Sequence, residues 1–393
     1  MKKATLDLST ISPQFEGVSA KIATVLRNVK ISETTGIVQN ETPQLGDVVL
    51  AKVTSVGDKD TLQNRDGRSI ELHEGDKILV SYGNRYAVEE YKALIPDDLQ
   101  ECHLVSAGGV ASLITEQHKG MSAPTTIKPI GLLKNADGNV MNLRDYAMNS
   151  LEIDQKSKPI TIAILGTGMD AGKTTAASDL VKGMTRAGEQ VGFGKMTGTG
   201  LSSDIHKPQD AGAIAVCDFV DMGYPSTYKA GTQEITSILK GLSTSLSMRG
   251  TTVNIIEIAD GVFQSDNQAL LKSDEFKSRI DGVLLAADTG LSAKAAVEEL
   301  HKHDIPVLAL CGCTMQAPLS VQEFTRHVNK DAKPKFGALD REDLQKSGVA
   351  KEMLAFVAEN RNQTGLNTDI SLDTETKKTS ELAQSAESTL AAE

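Results

Sequence analysis

The chain has no tryptophan, few aromatic residues of any kind and only four cysteines among 393 residues. Cysteines at 102, 217, 311 and 313 are too few for a disulfide framework in a chain of this length, so a reducing cytoplasm is the expected setting. Basic charge is also short: 41 Lys and Arg stand against 52 Asp and Glu, a formal charge of −11. That balance argues against nucleic acid as the main partner, because phosphate backbones are bound by clustered lysine and arginine. No apolar run approaches the roughly 18 residues of a membrane helix. Met1-Lys2-Lys3 is not followed by an apolar stretch, so neither a membrane span nor a signal peptide is expected. Hydrophobic residues make up 39 %, enough for real cores but modest, which points to an unstructured portion.

What is present falls into regions of different texture. Residues 1–36 form an N-terminal segment. Over 37–105, short apolar runs are broken by Gly and Asp: Gly46-Asp47 before 48–53, Asp66-Gly67 before 68–72, and Glu74-Gly75-Asp76 before 77–80. Strands this short and this spaced predict a small barrel or sandwich. Residues 106–157 are less regular and read as a connecting or docking segment. From 158 to 338, five- to seven-residue apolar runs (160–165, 191–196, 252–258, 282–286, 306–310) alternate with helical-period stretches such as Leu180, Val181, Met184 and Ile235, Ile238, Leu239, Leu242, Leu246. Continuous apolar strands alternating with amphipathic helices imply an α/β domain whose mostly parallel sheet is covered on both faces. A C-terminal helix is expected over 339–360. Residues 361–393 lack aromatics and are rich in Thr, Ser, Glu, Ala, Gln and Asn, the composition of a disordered tail.

The strongest chemical signal is Thr161-Ile162-Ala163-Ile164-Leu165-Gly166-Thr167-Gly168-Met169-Asp170-Ala171-Gly172-Lys173-Thr174-Thr175. A buried strand runs into a Gly-rich turn, and a helix starts at Gly-Lys-Thr, the context a phosphate loop requires. Successive backbone N–H groups of residues 166–175 form an anion nest, and the helix N-terminus adds unpaired donors and positive dipole. Lys173 is expected to reach the β- and γ-phosphates and Thr174 to coordinate Mg²⁺. The strict pattern has Gly where Thr167 stands; here the Gly is one residue earlier, at 166.

With the first Gly shifted, Gly-Thr-x-x-x-Ala-Gly-Lys-Thr resembles dethiobiotin synthetase and its relatives. These belong to the SIMIBI group of P-loop NTPases, with nitrogenase iron protein, signal-recognition GTPases and cobyric-acid synthases. The resemblance is at motif level, over about 159–338. The signature lysine of the ParA and MinD branch falls at position 168, which is Gly, and this favours the synthetase-like branch.

The resemblance implies further site residues. The second strand of the family ends in Lys followed by a Ser/Thr-Gly turn, as Lys195-Met196-Thr197-Gly198 does, so Lys195 is a candidate for phosphate or substrate binding or an exposed strand-end lysine. The family's Mg²⁺-binding Asp at a helix start matches Asp210, whose alternative is an ordinary N-cap; Asp204 lies nearby. The family's strand-end Glu matches Glu257, although Ile258 replaces the following Gly and Asp260 is added. A carboxylate in an apolar strand must be paired or bind metal, so Glu257 and Asp260 are metal candidates or parts of a turn. Residues 286–290 and 310–313 end later strands, where ligands of open α/β sheets bind. Cys311 and Cys313 read as pocket-edge residues, and His301 and His303 as helix caps. No Asn-Lys-x-Asp supports guanine, so ATP is preferred to GTP.

In the N-terminal part, Arg85 between Tyr82 and Tyr86 is suited to a carboxylate or phosphate, or to a structural role. Gly108-Gly109 is a turn or a ligand contact. The resemblance implies an ATP- and Mg²⁺-dependent ligase-like enzyme in which a substrate carboxylate or carbamate attacks the γ-phosphate and an amine then displaces phosphate. A small-molecule substrate is the expected partner, with no membrane or nucleic acid, and a homodimer fits the habits of the class. The alternative is a nucleotide-hydrolysing switch or assembly factor whose N-terminal domain holds a protein client.

Overall fold

The computed structural model describes residues 5–7, 9, 19–148 and 158–363. The tail expected over 361–393 lies outside these residues from 364 onward.

The N-terminal half is built on a sheet that closes on itself. Strand Val48–Ser55 pairs antiparallel with Lys77–Tyr82, which pairs parallel with Val110–Gln117. From there the ladder runs antiparallel through Cys102–Ser106 and Thr126–Lys134 back to Val48–Ser55. A closed ring removes the unpaired strand edges that an open sheet would leave. These strands are buried on both faces along much of their length: Val48, Val49, Leu50 and Ala51 of the first and Ile78, Leu79 and Val80 of the second are all fully buried. Residues 106–157 were expected to be irregular, yet they supply two of the five ring strands. Their apolar residues are broken by Thr, Glu, Lys and Gln, because the strand ends leave the barrel for solvent, and this hides the period of two.

The C-terminal half is a six-stranded, all-parallel sheet. The strands lie side by side in the order 215–218, 191–195, 253–257, 160–166, 282–286, 307–311. The five expected strands are all there, within one or two residues of the expected ends. The sixth, Ala215–Asp218, was read as part of a helix beginning at Asp210. The helix is earlier: α2 spans Ser203–Asp210 and ends where it was expected to begin. Helix α1, Lys173–Arg186, and the helix Ser347–Gln363 cover one face through Leu180, Val181, Met184, Met353 and Val357. Helix α3, Thr232–Met248, covers the other, and its buried Ile235, Ile238, Leu239, Leu242 and Leu246 belong to the same apolar cluster as the barrel core.

The two halves are joined by specific contacts. The Arg27 guanidinium is paired with both Asp218 and Asp221. Ser202 donates to Gln63 Oε1 through both its amide and its hydroxyl at 2.8 Å. Ser106 Oγ donates to the Gly200 carbonyl at 3.1 Å. These bonds hold the barrel against the ends of strands 191–195 and 215–218, above the site. Among the described residues no helix is long and apolar enough to cross a membrane.

Candidate functional site at the phosphate loop

The loop 166–172 leaves the central strand Ile160–Gly166 and enters α1 through Gly172, whose φ of 96° only glycine adopts readily. Its carbonyls and amides are fixed from both sides. Thr167 N donates to Ala286 O, Cys313 N donates to Ala171 O at 3.1 Å, and Val262 N donates to Gly166 O. Thr167 Oγ1 donates to Asp288 Oδ1 at 2.8 Å, which gives a reason for Thr at the position where the strict pattern has Gly. The Lys173 side chain folds back over Gly166, where a Cβ would lie 3.0 Å from Nζ. Nζ donates to the carbonyls of Gly168 and Met169 at 2.5 and 3.1 Å. Lys173 is 5 % exposed. Burial lowers its pKa, and Glu257 and Asp260 offset this only in part.

The strand Val253–Glu257 delivers Glu257 to the foot of the loop. Thr174 Oγ1 donates to Glu257 Oε1 at 2.9 Å, while Oε2 is buried without a partner. A buried carboxylate oxygen left free beside a phosphate-loop hydroxyl is the hard oxygen donor set that Mg²⁺ takes, so Thr174 and Glu257 fit that ion. Asp260, three residues on, sits at φ 63°, an uncommon conformation for a residue with a side chain. Burial raises its pKa against the pull of Lys173, Lys195 and Arg85. Asp210 is not brought to this place: it is the exposed last residue of α2. Asp204, in the first turn of the same helix, is the one that faces the site.

Lys195 ends its strand buried, not exposed, at 8 % exposure. Its Nζ lies 2.6 Å from Asp204 and 3.6 Å from Glu257. Burial works against the ammonium, but these carboxylates outweigh it and hold its pKa above the usual lysine range.

Two cavities flank the loop. One, of about 320 Å³, is lined by Gly172, Thr175, Gly312, Cys313, Leu339 and Arg341 among others. It lies at the carboxyl ends of the strands, and Cys313 is a pocket-edge residue whose Sγ donates to Asp170 O, whereas Cys311, expected at the same edge, is fully buried in the core. The other, of about 450 Å³, is lined on the loop side by Asp170, Lys173, Thr174, Lys195, Glu257 and Asp260. Its opposite wall is the barrel: Lys59, Arg85, Tyr86, Glu90 and Ser106. Arg85 and Tyr86 come from one stretch that the sequence singles out, and Ser106 from the one that runs into Gly108-Gly109. Lys59 and Glu90 carry no local motif and reach the site only through the barrel's closure.

Parallel sheet, strand–loop–helix and Lys-Thr pair define a P-loop protein. No family model matches the chain, and no curated protein matches it. Similar solved structures include the 54 kDa signal recognition particle protein of Aeropyrum pernix K1 in complex with GDP, at 21 % identity and TM-score 0.32, covering 55 % of this chain and 50 % of that one. The signal recognition particle receptor FtsY of Elizabethkingia anophelis is another, at 15 % identity and TM-score 0.33, covering 51 % of this chain and 66 % of that one. Its complex with GDP has 15 % identity and TM-score 0.34, covering 53 % and 67 %. The chain thus spans about half the length of the first of these.

Proposed function

We propose that this protein binds a Mg²⁺–purine nucleoside triphosphate at the loop 166–175 and transfers its γ-phosphoryl group to a small carboxylate. The triphosphate lies in the nest, the base in the 320 Å³ cavity beside Gly312 and Leu339, and the acceptor in the 450 Å³ cavity. The observation that carries this reading is the second cavity: attack by water needs no polar chamber of that size with a wall from another part of the chain.

In the reaction, a carboxylate oxygen of the acceptor bonds to the γ-phosphorus. The bond from that phosphorus to the β–γ bridging oxygen breaks, and its electron pair leaves with the nucleoside diphosphate. The product is an acyl phosphate, and no proton moves. An amine attacking the acyl carbon then expels phosphate and gives up one proton to water. Lys173 exchanges its carbonyl partners for phosphate oxygens and balances their charge. Lys195 holds Asp204 and Glu257 in place and adds positive charge beside the transferred group. Thr174 and Glu257 would hold Mg²⁺, which would supply charge neutralisation for the transferred phosphoryl group.

A second reading is a nucleotide-hydrolysing switch. The bonds from the barrel to Gly200, Ser202, Asp218 and Asp221 favour it, because a shift of these strand ends on nucleotide exchange would move the barrel. One measurement separates the two. Release of ADP from ATP and of GDP from GTP is followed with small carboxylates and with a protein extract. Stimulation by the small molecules supports transfer; stimulation by a protein alone supports the switch.

A further inference from the structure

The acceptor argued below rests on the nucleotide reading above. Arg85 and Glu90 belong to a barrel hairpin, strands Arg85–Tyr86 and Tyr91–Leu94, that hangs over the phosphate loop. The hairpin's Glu89 meets Asp170 of the loop itself. Arg85 has a side chain only 12 % exposed. It donates to the Val105 carbonyl and, at 2.7 Å, to Glu90 Oε2, while its Nε–H is buried without a partner. The same Glu90 oxygen lies 2.9 Å from Lys59 Nζ. One carboxylate oxygen therefore clamps two cations on the far wall of the cavity, and the guanidinium keeps donors in reserve.

At the near wall stand Lys173 and Lys195. Asp260 lies within electrostatic reach of Arg85, Lys173 and Lys195. Lys59 is shared by Asp58, at 3.0 Å, and Glu90, and Lys195 is held by Asp204, so within this chamber of about 450 Å³ Lys173 at one end and the unpartnered Nε–H of Arg85 at the other are what suit a molecule with an anion at both ends. At the far end the pair is a guanidinium and an ammonium, the fork that takes a carboxylate.

We propose that the acceptor is a small dicarboxylate. One carboxylate is presented to the γ-phosphate beside Lys173 and Lys195, and the other is anchored by Arg85 and Lys59, which share it with Glu90. The barrel is then the specificity-determining wall of the site.

The test uses the full chain, its Arg85→Gln, Arg85→Lys and Lys59→Gln variants, and two probe series. These are the monocarboxylates acetate, propionate and butyrate, and the dicarboxylates malonate, succinate, glutarate and adipate. Release of ADP from MgATP and of GDP from MgGTP is measured against carboxylate concentration, and MgADP and MgGDP binding is measured by calorimetry. In the wild type at least one dicarboxylate is expected to stimulate release at concentrations where no monocarboxylate does. Arg85→Gln raises the half-stimulating concentration about tenfold or more, the scale of a lost charge-assisted hydrogen bond. Arg85→Lys restores part of it, Lys59→Gln shifts it in the same direction, and diphosphate binding persists in all variants. Stimulation by monocarboxylates alone, by no carboxylate, or equally in wild type and Arg85→Gln would overturn the proposal while nucleotide binding stands. Absence of nucleotide binding by the wild type would overturn the underlying reading and this one with it.

Discussion

The hydroxyl of Thr174 donates to Glu257 across 83 positions of sequence, at 2.9 Å, and so links the start of α1 to the end of the neighbouring strand. One carboxylate oxygen is thereby used and the other is left free and buried. Glu257→Gln keeps the shape and the acceptor for Thr174 but removes the charge. The expected result is nucleotide binding that no longer tightens when Mg²⁺ is added, with turnover down about a hundredfold or more. Titration of ATP with and without Mg²⁺ checks this. An unchanged Mg²⁺ effect would take Glu257 out of the metal site.

Lys173 donates to two loop carbonyls, so its ammonium is held against the loop that would take the polyphosphate. Lys173→Ala removes that charge from a nest that otherwise offers only backbone donors. Nucleotide affinity is expected to fall beyond detection by calorimetry in the millimolar range. Wild-type-like turnover in this variant would defeat the site assignment.

Lys195 differs, because it touches carboxylates and not the loop. Lys195→Ala is expected to spare nucleotide binding and to lower turnover. It also leaves Asp204 and Glu257 without their buried counter-charge, at a cost to stability of about 3–5 kcal/mol, the usual scale for breaking a buried pair. Urea denaturation reads the second effect and phosphate release the first. Full turnover would show that Lys195 only holds the fold.

Lys158 offers a pH test away from the site. Burial pushes its ammonium down to about 8 from an ordinary 10.5, despite the nearby Asp281. The unfolded chain then holds a proton between pH 8 and 10.5 that the folded chain has shed, so this group makes stability rise with pH across that window. Lys158→Gln removes the contribution. The variant's advantage over wild type in urea midpoint should be larger at pH 7.5 than at pH 10.5. Parallel pH profiles for the two proteins would contradict it.

The phosphate loop and five of the six parallel strands were legible because each is a local pattern: an unbroken apolar run, then Gly, Lys and Thr at fixed offsets. Glu257 was legible for the same reason, as an acid ending a buried strand. The edge strand Ala215–Asp218 was not, since four residues show no period, and the Asp-Ala-Gly start at 210 imitates a helix cap. Asp210 therefore ends a helix that the match has it begin, and Asp204, in its first turn, is the acid beside the cavity. The barrel wall of the cavity was legible only at Arg85, Tyr86 and Ser106. Its other members are set by a closure in which strands 77–82 and 110–117 pair in parallel, a long-range event that leaves no mark in either strand alone.

The Gly108-Gly109 pair is a turn, and it is also where the barrel presses on the P-loop half. A Cβ built on Gly108 would lie 1.8 Å from the Gly200 carbonyl oxygen, a backbone atom that cannot swing aside. Gly200 in turn belongs to the segment after Lys195 whose Gly198, Thr199 and Leu201 line the larger cavity. Gly108→Ala must therefore push the barrel away from the cavity's rim or unfold the contact. A loss of about 1–3 kcal/mol is expected from the overpacking, together with weaker stimulation of phosphate release by any acceptor. Gly348→Ala, where nothing lies within 4 Å, is the control, and there stability should hold or rise slightly. Equal urea midpoints for wild type and Gly108→Ala would mean that the two halves do not meet at Gly200. Lost stability with unaltered acceptor dependence would mean that they meet there without shaping the site.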